Sequence, residues 1–511
     1  MMKILLLALN SRYVHPNLAL GYLSEIAKEE GHEVDLKEYT INMQPREILL
    51  DSDFENYEVI CFSVYIWNGD FVKKLLREMR MIHPEGIYLC GGPEVMGRPM
   101  DYLCLCDGVV MGEGESPFRS FLKNPGDSSQ WKSISTKGYL APINREEILD
   151  FPYPHSQTKN KTIVYYEAQR GCPFSCSYCM SGSTGVRYRP MELVKKDLLL
   201  LIESEIPLVK FVDRSFNVHL RKSLEIIEYI KDQDRGKTSF HMELAPNLLG
   251  GELIEALKGV REDLFQVEIG IQSTDDEVNK KVYRSLLYSK YKEELKEFIK
   301  AFPGHVHLDL ISGLPGTTFE NIRKSHLELE SLGGDFIQLG FLKLMPGTKL
   351  FEEREIQGIL ASSFAPYEVL KTVELSYSEL KLLKIIERMM DLYPKEDIPI
   401  SFEYLSRNRG AFDVYHWMAQ HFPKDKIYHR HSLENKLEIL GDFSGSLIKE
   451  TLELDYAKKR RNRRFLFFPG RKSPGGESIL SYYDGEGLAQ KSVNYRIDYE
   501  KQLLCREERD V

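Results

Sequence analysis

The chain has 511 residues, of which 42% are hydrophobic and 28% are charged, and its formal net charge is −9. This length predicts two or three domains, and the composition is typical of a globular protein. No run of eighteen apolar residues is present, which argues against a membrane-spanning helix, and the acidic balance gives no general reason to expect nucleic-acid binding.

The first 140 residues alternate predicted strands with predicted helices. The opening apolar run is short and is followed by Asn10 instead of a cleavage site, which favours a buried parallel strand over a signal peptide. Strands are predicted at 3–9, 32–39, 59–64, 87–92 and 108–112, with helices at 17–30 and 69–82. This order predicts a Rossmann-like (flavodoxin-like) parallel sheet, whose ligands bind beyond the carboxyl ends of the strands.

The loops at those carboxyl ends are the predicted ligand-binding loops of this domain. Several contain glycine, which lets the backbone approach a flat ligand closely. The candidate residues are Asn10, Tyr13, His15, Asn17, Ser63, Tyr65, Trp67, Asn68, Gly91, Gly92, Pro93, Glu94, Gly112, Glu113, Gly114 and Glu115. A flavodoxin-like sheet that binds nothing, or another nucleotide, is the alternative.

Residues 141–160 contain proline and polar residues that predict an extended linker. Beyond it, an apolar run leads into Cys172, Cys176 and Cys179, three cysteines within eight residues. A glycine before this stretch and a proline inside it disfavour a helix, so the cysteines are placed on a loop that leaves a strand. Such a loop can hold an iron–sulfur cluster. Because the next cysteine is Cys505, one iron would lack a protein ligand and could bind a reactant.

Two alternatives for the three cysteines remain open. They could be buried free thiols, since free cysteine is often buried. They could also bind zinc with a histidine as the fourth ligand, for which His155 is the nearest histidine.

The Cys-x3-Cys-x2-Cys spacing, with Tyr178 before the last cysteine, resembles the signature of the radical S-adenosylmethionine (SAM) family. The resemblance implies that Cys172, Cys176 and Cys179 hold a [4Fe–4S] cluster whose open iron binds the amino and carboxylate groups of SAM. One electron, from an external donor such as flavodoxin or ferredoxin, would then release a 5′-deoxyadenosyl radical.

The N-terminal loops, taken in order, resemble those of the branch of this family that binds cobalamin. The mutase-type Asp-x-His-x-x-Gly motif is absent, so no histidine is marked as an axial ligand of cobalt. We therefore expect the nucleotide tail to be displaced from cobalt. Trp67 or Asn68 would then be the residue nearest to the lower face of the cobalamin.

Residues 161–360 repeat a strand followed by a helix, with strands predicted at 163–168, 208–212, 239–244, 264–271, 305–311 and 335–344. Six such units predict a partial (β/α)6 TIM-type barrel, whose active site lies at the carboxyl ends of the strands. The resemblance implies that residues at these ends bind SAM. The candidates are Tyr178, Asp213, Asn217, Glu243, Glu268, Gln272, Gly313 and Pro315. The family's usual Gly-Gly-Glu after the second strand is replaced by Asp-Arg-Ser-Phe-Asn, which leaves open the residue that binds the amino group.

Residues 361–511 predict a mainly helical C-terminal domain with a small β piece. Helical spacing dominates 367–392, with Ser376 or Ser378 as a possible cap, and a hairpin turn is predicted near 481–487. The basic run at 458–464 is typical of a charged helix end or of a contact with RNA or phosphate. As in relatives, this domain is expected to close the barrel mouth and contribute to substrate choice.

The resemblance predicts a cobalamin-dependent radical SAM enzyme that transfers a methyl group to an unactivated carbon of a small-molecule or RNA substrate. Relatives use the same parts for ring formation or rearrangement, so these outcomes are alternatives. A sulfur-inserting, RNA-modifying enzyme would need a second cluster, but Cys61 and Cys90 lie in predicted buried strands. A cobalamin or iron–sulfur sensor is the non-enzyme alternative. The irregular cysteine spacing and an oxygen-labile cluster predict a reducing cytoplasm and anaerobic conditions.

Overall fold

The structure, a computed structural model, describes most of the chain up to residue 460 and parts of the remainder. The described ranges are 1–12, 15–125, 152–158, 161–182, 184–407, 409–444, 446–460, 471–472, 478–484, 491–498 and 503–509. Two compact units are present, 1–375 and 376–511. Within the described ranges, no helix has the length and apolar character needed to cross a bilayer. Most of the predicted linker, 141–151 and 159–160, lies outside the described residues.

A parallel five-stranded sheet forms the N-terminal domain, in the order β2-β1-β3-β4-β5. Its strands are β1 (Lys3–Asn10), β2 (Glu33–Thr40), β3 (Val59–Ser63), β4 (Ile87–Gly91) and β5 (Gly108–Val110). Its helices are α1 (Leu18–Glu29), α2 (Pro45–Asp51), α3 (Gly69–Ile82), α4 (Pro93–Gly97), α5 (Pro99–Leu103) and α6 (Glu115–Lys123). The predicted Rossmann-like sheet is confirmed.

The continuous apolar run of β1 is explained by burial on both faces of the sheet. Leu5 and Leu7 belong to the apolar core on one face, whereas Ile4 and Leu6 belong to the core on the other face. A parallel sheet covered by helices on both sides requires this pattern.

A second parallel sheet, in the order β13-β12-β11-β10-β9-β6, forms the partial barrel. Its strands, with the short pair β7 and β8, are β6 (Ile163–Tyr166), β7 (Gln169–Arg170), β8 (Arg187–Tyr188), β9 (Leu208–Phe211), β10 (Ser239–Leu244), β11 (Phe265–Gln272), β12 (His305–Ser312) and β13 (Phe336–Phe341). The helices are α7 (Met191–Glu203), α8 (Leu220–Gln233), α9 (Gly251–Leu257), α10 (Asp276–Lys281), α11 (Tyr288–Ala301), α12 (Phe319–Leu332) and α13 (Lys349–Glu352). The six-stranded partial barrel is confirmed.

Alternation along β11 places polar side chains inside the barrel. Its residues alternate between fully buried and partly exposed, with Val267 and Ile269 buried and Glu268 and Gln272 partly exposed. Because successive side chains of a strand point to opposite faces, the apolar set packs under the helices and the polar set faces the interior.

The predicted helix starting at residue 367 was wrong for its first part. The chain forms a short antiparallel pair, β14 (Leu360–Ala361) and β15 (Val369–Lys371), before the helix. The Val369 amide donates to the Leu342 carbonyl at 2.9 Å and the Leu344 amide to the Tyr367 carbonyl at 2.8 Å. These tertiary hydrogen bonds outweigh the local helical spacing. The helix begins after Ser376, as the capping prediction allowed.

The described part of the second unit contains five helices and a four-stranded antiparallel sheet in the order β16-β17-β18-β19. Its elements are α14 (Tyr377–Leu392), α15 (Pro399–Ser406), α16 (Ala411–His421), α17 (Leu433–Ser444), α18 (Ser446–Arg460), β16 (Arg471–Lys472), β17 (Ser478–Asp484), β18 (Lys491–Asp498) and β19 (Leu503–Arg509). Strands β17 and β18 pair as a hairpin. The predicted turn was wrong for 481–484, which belong to β17 because they pair with β18. Residues 485–487 of that turn, and residues 461–464 of the basic run, lie outside the described residues.

Candidate active site

The loop that carries the three cysteines is closed at its base by the antiparallel pair of β7 and β8. Gly171 starts the loop with φ of +100°, and a Cβ atom there would lie 1.7 Å from the Gly185 carbonyl oxygen. The two ends of the loop therefore pass so close to each other here that position 171 accepts only glycine. Inside the loop, the Cys172 amide donates to Thr184 Oγ1 at 3.2 Å and the Cys179 amide to the Cys176 carbonyl at 3.1 Å.

The three thiols lie in one buried region. Cys172 and Cys176 are buried, and Cys179 is partly buried. Burial raises the pKa of Cys172, and the nearby Cys179 and Cys176 raise it further, which places the three sulfurs within electrostatic reach of one another. Ser215 Oγ lies 3.8 Å from Cys172 Sγ.

Arg284 is a buried cation beside this loop that sequence reasoning missed, because a lone arginine after a short helix carries no recognisable signal. Its Nη1 atom lies 3.6 Å from Cys176 Sγ, and its Nη2 atom donates to the Gly270 carbonyl. Tyr178 lies next to both, and burial raises the pKa of its phenol well above the ordinary value. A guanidinium at this place can offset the negative charge of thiolates.

The three cysteine side chains have the ligand chemistry of an iron–sulfur cluster. In the described part of the chain, no three His, Cys, Asp or Glu side chains converge on a point as they would around one metal ion. A zinc ion would hold its sulfur ligands about 2.3 Å away, whereas a [4Fe–4S] cluster spreads three thiolates over three separate irons. Cysteine thiolates are the ligands that such clusters prefer.

Carboxylates and amides line the barrel interior at the strand ends. Glu243 of β10 and Glu268 of β11 are paired across the sheet, and Glu268 lies 3.4 Å from His241 Nε2. The hydrogen bond from His241 and one shared with Asp309 lower the pKa of Glu268 to about 2. Burial, followed by repulsion from Glu268, raises the pKa of Asp309 to about 8. Near neutral pH this pair therefore holds one proton.

Several polar atoms on β11, on β12 and in the loop after β12 are buried without a hydrogen-bond partner among the described residues. They are Gln272 Oε1, Asp309 Oδ1, Ser312 Oγ and Thr317 Oγ1. A buried polar atom left without a partner costs about 1–3 kcal/mol. Gln272 and Asp309 alternate with the buried apolar residues of their strands and face the barrel interior, where a ligand with hydroxyl and ammonium donors, as SAM has, would satisfy them. Asp309 belongs to this set but was not among the predicted residues, although the sequence places it on a strand end.

The remaining predicted SAM residues have structural contacts. Asp213 is fully buried and accepts the Ala168 amide at 2.9 Å, and burial raises its pKa well above the ordinary value. Asn217 bonds to the backbone of Ala245 and Leu248. Both side chains thus hold loops at the strand ends. Gly313, with φ of +89°, begins the turn that contains Pro315. Their roles toward SAM stay predictions.

A cavity of about 450 Å³ lies between the five-stranded sheet and the barrel. The predicted residues on its wall are Ser63, Tyr65, Gly91, Gly92, Pro93, Gly112, Glu113, Gly114 and Glu115. The cavity wall also contains apolar side chains of α1, β3, β4 and α6, namely Leu20, Leu23, Cys61, Leu89 and Phe118. A wall that combines glycines with apolar side chains fits a corrin ring and its nucleotide tail, since glycine admits close backbone approach.

In the loop after β3, Tyr65 lines this cavity. Trp67 and Asn68 do not line it. Trp67 stacks on Tyr65 with a centroid distance of 4.4 Å. The Asn68 side chain bonds to the Leu9 and Ser63 carbonyls and to the Tyr65 amide, so its polar atoms are already used. Burial raises the pKa of Tyr65 to about 12.

The other predicted residues of the N-terminal loops support the cavity from outside its wall. Asn10 donates to Glu38, and Asn17 caps α1 and donates to Ser63 Oγ at 2.7 Å. His15 bonds to the Tyr165 hydroxyl at 2.8 Å, and Glu94 accepts a hydrogen bond from Tyr367. Tyr13 lies outside the described residues.

The cavity is joined to the cysteine loop by a charged cluster centred on Arg170. Arg170 lies 2.8 Å from Glu113, 2.8 Å from Glu115 and 2.7 Å from Glu167, and Arg187 also contacts Glu113. Gly171 and Ser181 of the cysteine loop lie on the cavity wall. Two residues of the cysteine loop therefore form part of the cavity wall.

Two of the N-terminal cysteines, Cys61 and Cys90, are buried within strands, as predicted. Burial raises the pKa of Cys61 to about 12 and also raises the pKa of Cys90. Both lie on strands of the N-terminal sheet, whereas Cys172, Cys176 and Cys179 share one loop.

Three protein-family models match successive parts of the chain. The B12 binding domain matches residues 4–122, the radical SAM superfamily matches residues 166–329, and a protein of unknown function (DUF4080) matches residues 357–503. The first two ranges coincide with the five-stranded sheet and the partial barrel. The predicted resemblance to cobalamin-binding radical SAM proteins is confirmed.

Two curated relatives are methyltransferases. The chain is 25% identical over 300 residues to 2-(S-pantetheinyl)-carbapenam-3-carboxylate methyltransferase of Streptantibioticus cattleyicolor, a match that covers 50% of this chain and 42% of that protein. It is 22% identical over 392 residues to the cobalamin-dependent radical SAM methyltransferase TokK of Streptomyces tokunonensis, which covers 70% of this chain and 57% of TokK. The chain thus spans about half the length of these relatives.

A solved structure shares the fold. The cobalamin-dependent SAM radical enzyme OxsB, determined with aqua-cobalamin bound, superposes with a TM-score of 0.61 at 13% identity. The superposition covers 89% of this chain and 80% of OxsB.

Proposed function

Because the chain combines a B12-binding domain with a radical SAM domain, we propose that it is a cobalamin-dependent radical SAM methyltransferase acting on a carbon atom. The observation that carries this proposal is the shared border of the cysteine loop and the glycine-rich cavity, where Gly171 and Ser181 line both. A cluster, SAM and cobalamin bound there would supply radical formation and a methyl carrier within one chamber.

The chain's own residues hold and separate these groups. Cys172, Cys176 and Cys179 would bind the cluster, with the Arg284 guanidinium beside Cys176. Glu243 and the buried, unpartnered atoms of the barrel interior would bind SAM. Tyr65 would face the cobalamin from the sheet.

The test is anaerobic purification followed by reconstitution with iron, sulfide and hydroxocobalamin. We expect about four irons per chain, a corrin absorption band, and 5′-deoxyadenosine formed from SAM after reduction. Iron binding and SAM cleavage should both be lost in Cys176→Ala. SAM that carries a deuterated methyl group, incubated with a cell extract, should label a product by methyl transfer.

Two results would contradict the proposal. Formation of 5′-deoxyadenosine without transfer of label would instead support ring formation or rearrangement. About eight irons per chain would support a second cluster and an RNA-modifying enzyme. A cytoplasmic location, with flavodoxin or ferredoxin as the electron donor, belongs to the same proposal, because reduction of the cluster needs an external electron.

A further inference from the structure

Two arginines, Arg170 and Arg214, line the cavity. Of these two, Arg214 has no carboxylate within 3 Å among the described residues. It stands in the Asp-Arg-Ser-Phe-Asn segment after β9, and its side chain lines the cavity and is 57% exposed. Among the described residues, its one ion-pair partner is Glu243, at 3.9 Å. The other cavity arginine, Arg170, has three carboxylates within 2.8 Å.

The backbone on both sides of Arg214 is fixed. Asp213 binds the Ala168 amide, and the Ser215 carbonyl accepts from Gln169 Nε2 at 2.6 Å. The fixed backbone anchors the Arg214 side chain at the cavity wall, so that no backbone segment has to become ordered when a ligand binds.

Arg214 also lies between the regions assigned to the three cofactors. Burial raises the pKa of Tyr65, and the nearby charge of Arg214 lowers it by a smaller amount. Burial likewise raises the pKa of Glu243, and Arg214 again acts in the opposite direction. The neighbouring Ser215 touches Cys172. A molecule that reacts between cobalamin and SAM would therefore come within reach of this guanidinium.

We propose that Arg214 binds an anionic group, a carboxylate or a phosphate, of the substrate that accepts the methyl group. The inference rests on the proposed function and names its substrate class. If the ammonium group of SAM binds Glu243, Arg214 loses its ion-pair partner. A planar guanidinium binds carboxylate or phosphate oxygens in pairs.

The test measures binding by calorimetry to the protein loaded with cluster, hydroxocobalamin and SAM. The probes are benzoate and phenyl phosphate, with benzamide as the neutral counterpart. The wild type should bind at least one anion about tenfold more tightly than benzamide, the effect of one charge-assisted hydrogen bond. Arg214→Gln should lose this preference, and Arg214→Lys should keep part of it. Arg235→Gln, at an exposed ion pair with Glu203, should behave as the wild type.

Cofactor binding on the same preparations separates the possible failures. Equal binding of anions and benzamide by the wild type, or an anion preference that persists in Arg214→Gln, would overturn the role of Arg214. A tenfold loss of SAM or cobalamin affinity in Arg214→Gln would assign the residue to that cofactor and also overturn it. If the wild type takes up no cobalamin or cleaves no SAM, the proposed function itself fails.

Discussion

Arg170 shows how one side chain can join two domains. Its guanidinium lies between Glu113 and Glu115 of the N-terminal domain and Glu167 of the barrel, and 17% of it is exposed. Because the surrounding carboxylates are mostly buried, each needs the positive charge to offset the cost of leaving water. The cysteine loop begins one residue later, so the same contact also fixes the start of that loop.

Replacing Arg170 by glutamine should destabilise the unit formed by 1–375 by about 3 kcal/mol, because buried carboxylates lose their counter-charge. Denaturant unfolding measures the effect. The matched control, Arg235→Gln, breaks an exposed pair with Glu203 and should cost less than about 1 kcal/mol. Equal effects of the two substitutions would show that the cluster at Arg170 does not stabilise the fold.

Asp309→Asn should change how stability depends on pH. Burial raises the pKa of Asp309 to about 8, so the folded chain keeps a proton that the unfolded chain releases above about pH 4. The wild type therefore loses stability as pH rises from about 4 to 8. Glu268, whose pKa is lowered to about 2, contributes its own change only at acid pH.

Between pH 6 and 8, denaturant unfolding should show the wild type losing about 2 kcal/mol relative to Asp309→Asn. The asparagine amide can donate to Glu268 at every pH, so the variant lacks this dependence. Parallel curves for the two proteins over this range would contradict a shared proton between Asp309 and Glu268.

At the scale of elements, α4 packs closely against the loop after β13. This contact brings backbone of the N-terminal domain against backbone of the barrel. A Cβ atom on Gly97 would lie 2.4 Å from the Pro346 carbonyl oxygen, and Gly347 packs against Gly97. Glu94 and Arg98 on either side of this contact hold Tyr367 by a hydrogen bond and a cation–π contact. These residues orient the two halves of the cavity.

Gly97→Val should force this contact apart. We expect faster limited proteolysis between the two domains and weaker cobalamin binding, because the cavity has walls from both. Gly251→Ala is the control, since a Cβ atom there meets nothing within 4 Å. Unchanged proteolysis and cobalamin affinity in Gly97→Val would show that the domains are oriented by other contacts.

The helices and strands were predicted well from the sequence wherever the local pattern and the tertiary contacts favour the same structure. The bounds of α3 and β10 matched the predictions, because each carries a clear apolar period between breaking residues. The segment around Val369 differed, since its hydrogen bonds go to the distant Leu342 and Leu344. Arg170, Arg284 and Asp309 became recognisable as site residues only when folding brought their partners beside them, which no local pattern encodes.

At the scale of the whole molecule, the cofactor regions all lie in one unit, 1–375. The residues named above for the cavity wall, the cysteine loop and the barrel interior all belong to the described part of this unit. The second unit, 376–511, has its own buried residues, among them Phe412 and Leu440. A chain built this way is expected to unfold in more than one step, because two-state unfolding describes single domains.

Calorimetry of the full chain should show two transitions, and cobalamin should raise the midpoint of only one. A ligand present at 100 times its Kd stabilises the unit that binds it by about 2.7 kcal/mol, which shifts that midpoint upward by a few degrees. Cobinamide, which has the corrin ring without the nucleotide tail, should produce a smaller shift because it loses apolar contacts with the cavity wall, for example with Leu20 and Phe118. Equal shifts with both corrinoids would show that the cavity does not bind the tail. A shift of both transitions, or of neither, would contradict a cobalamin site confined to 1–375.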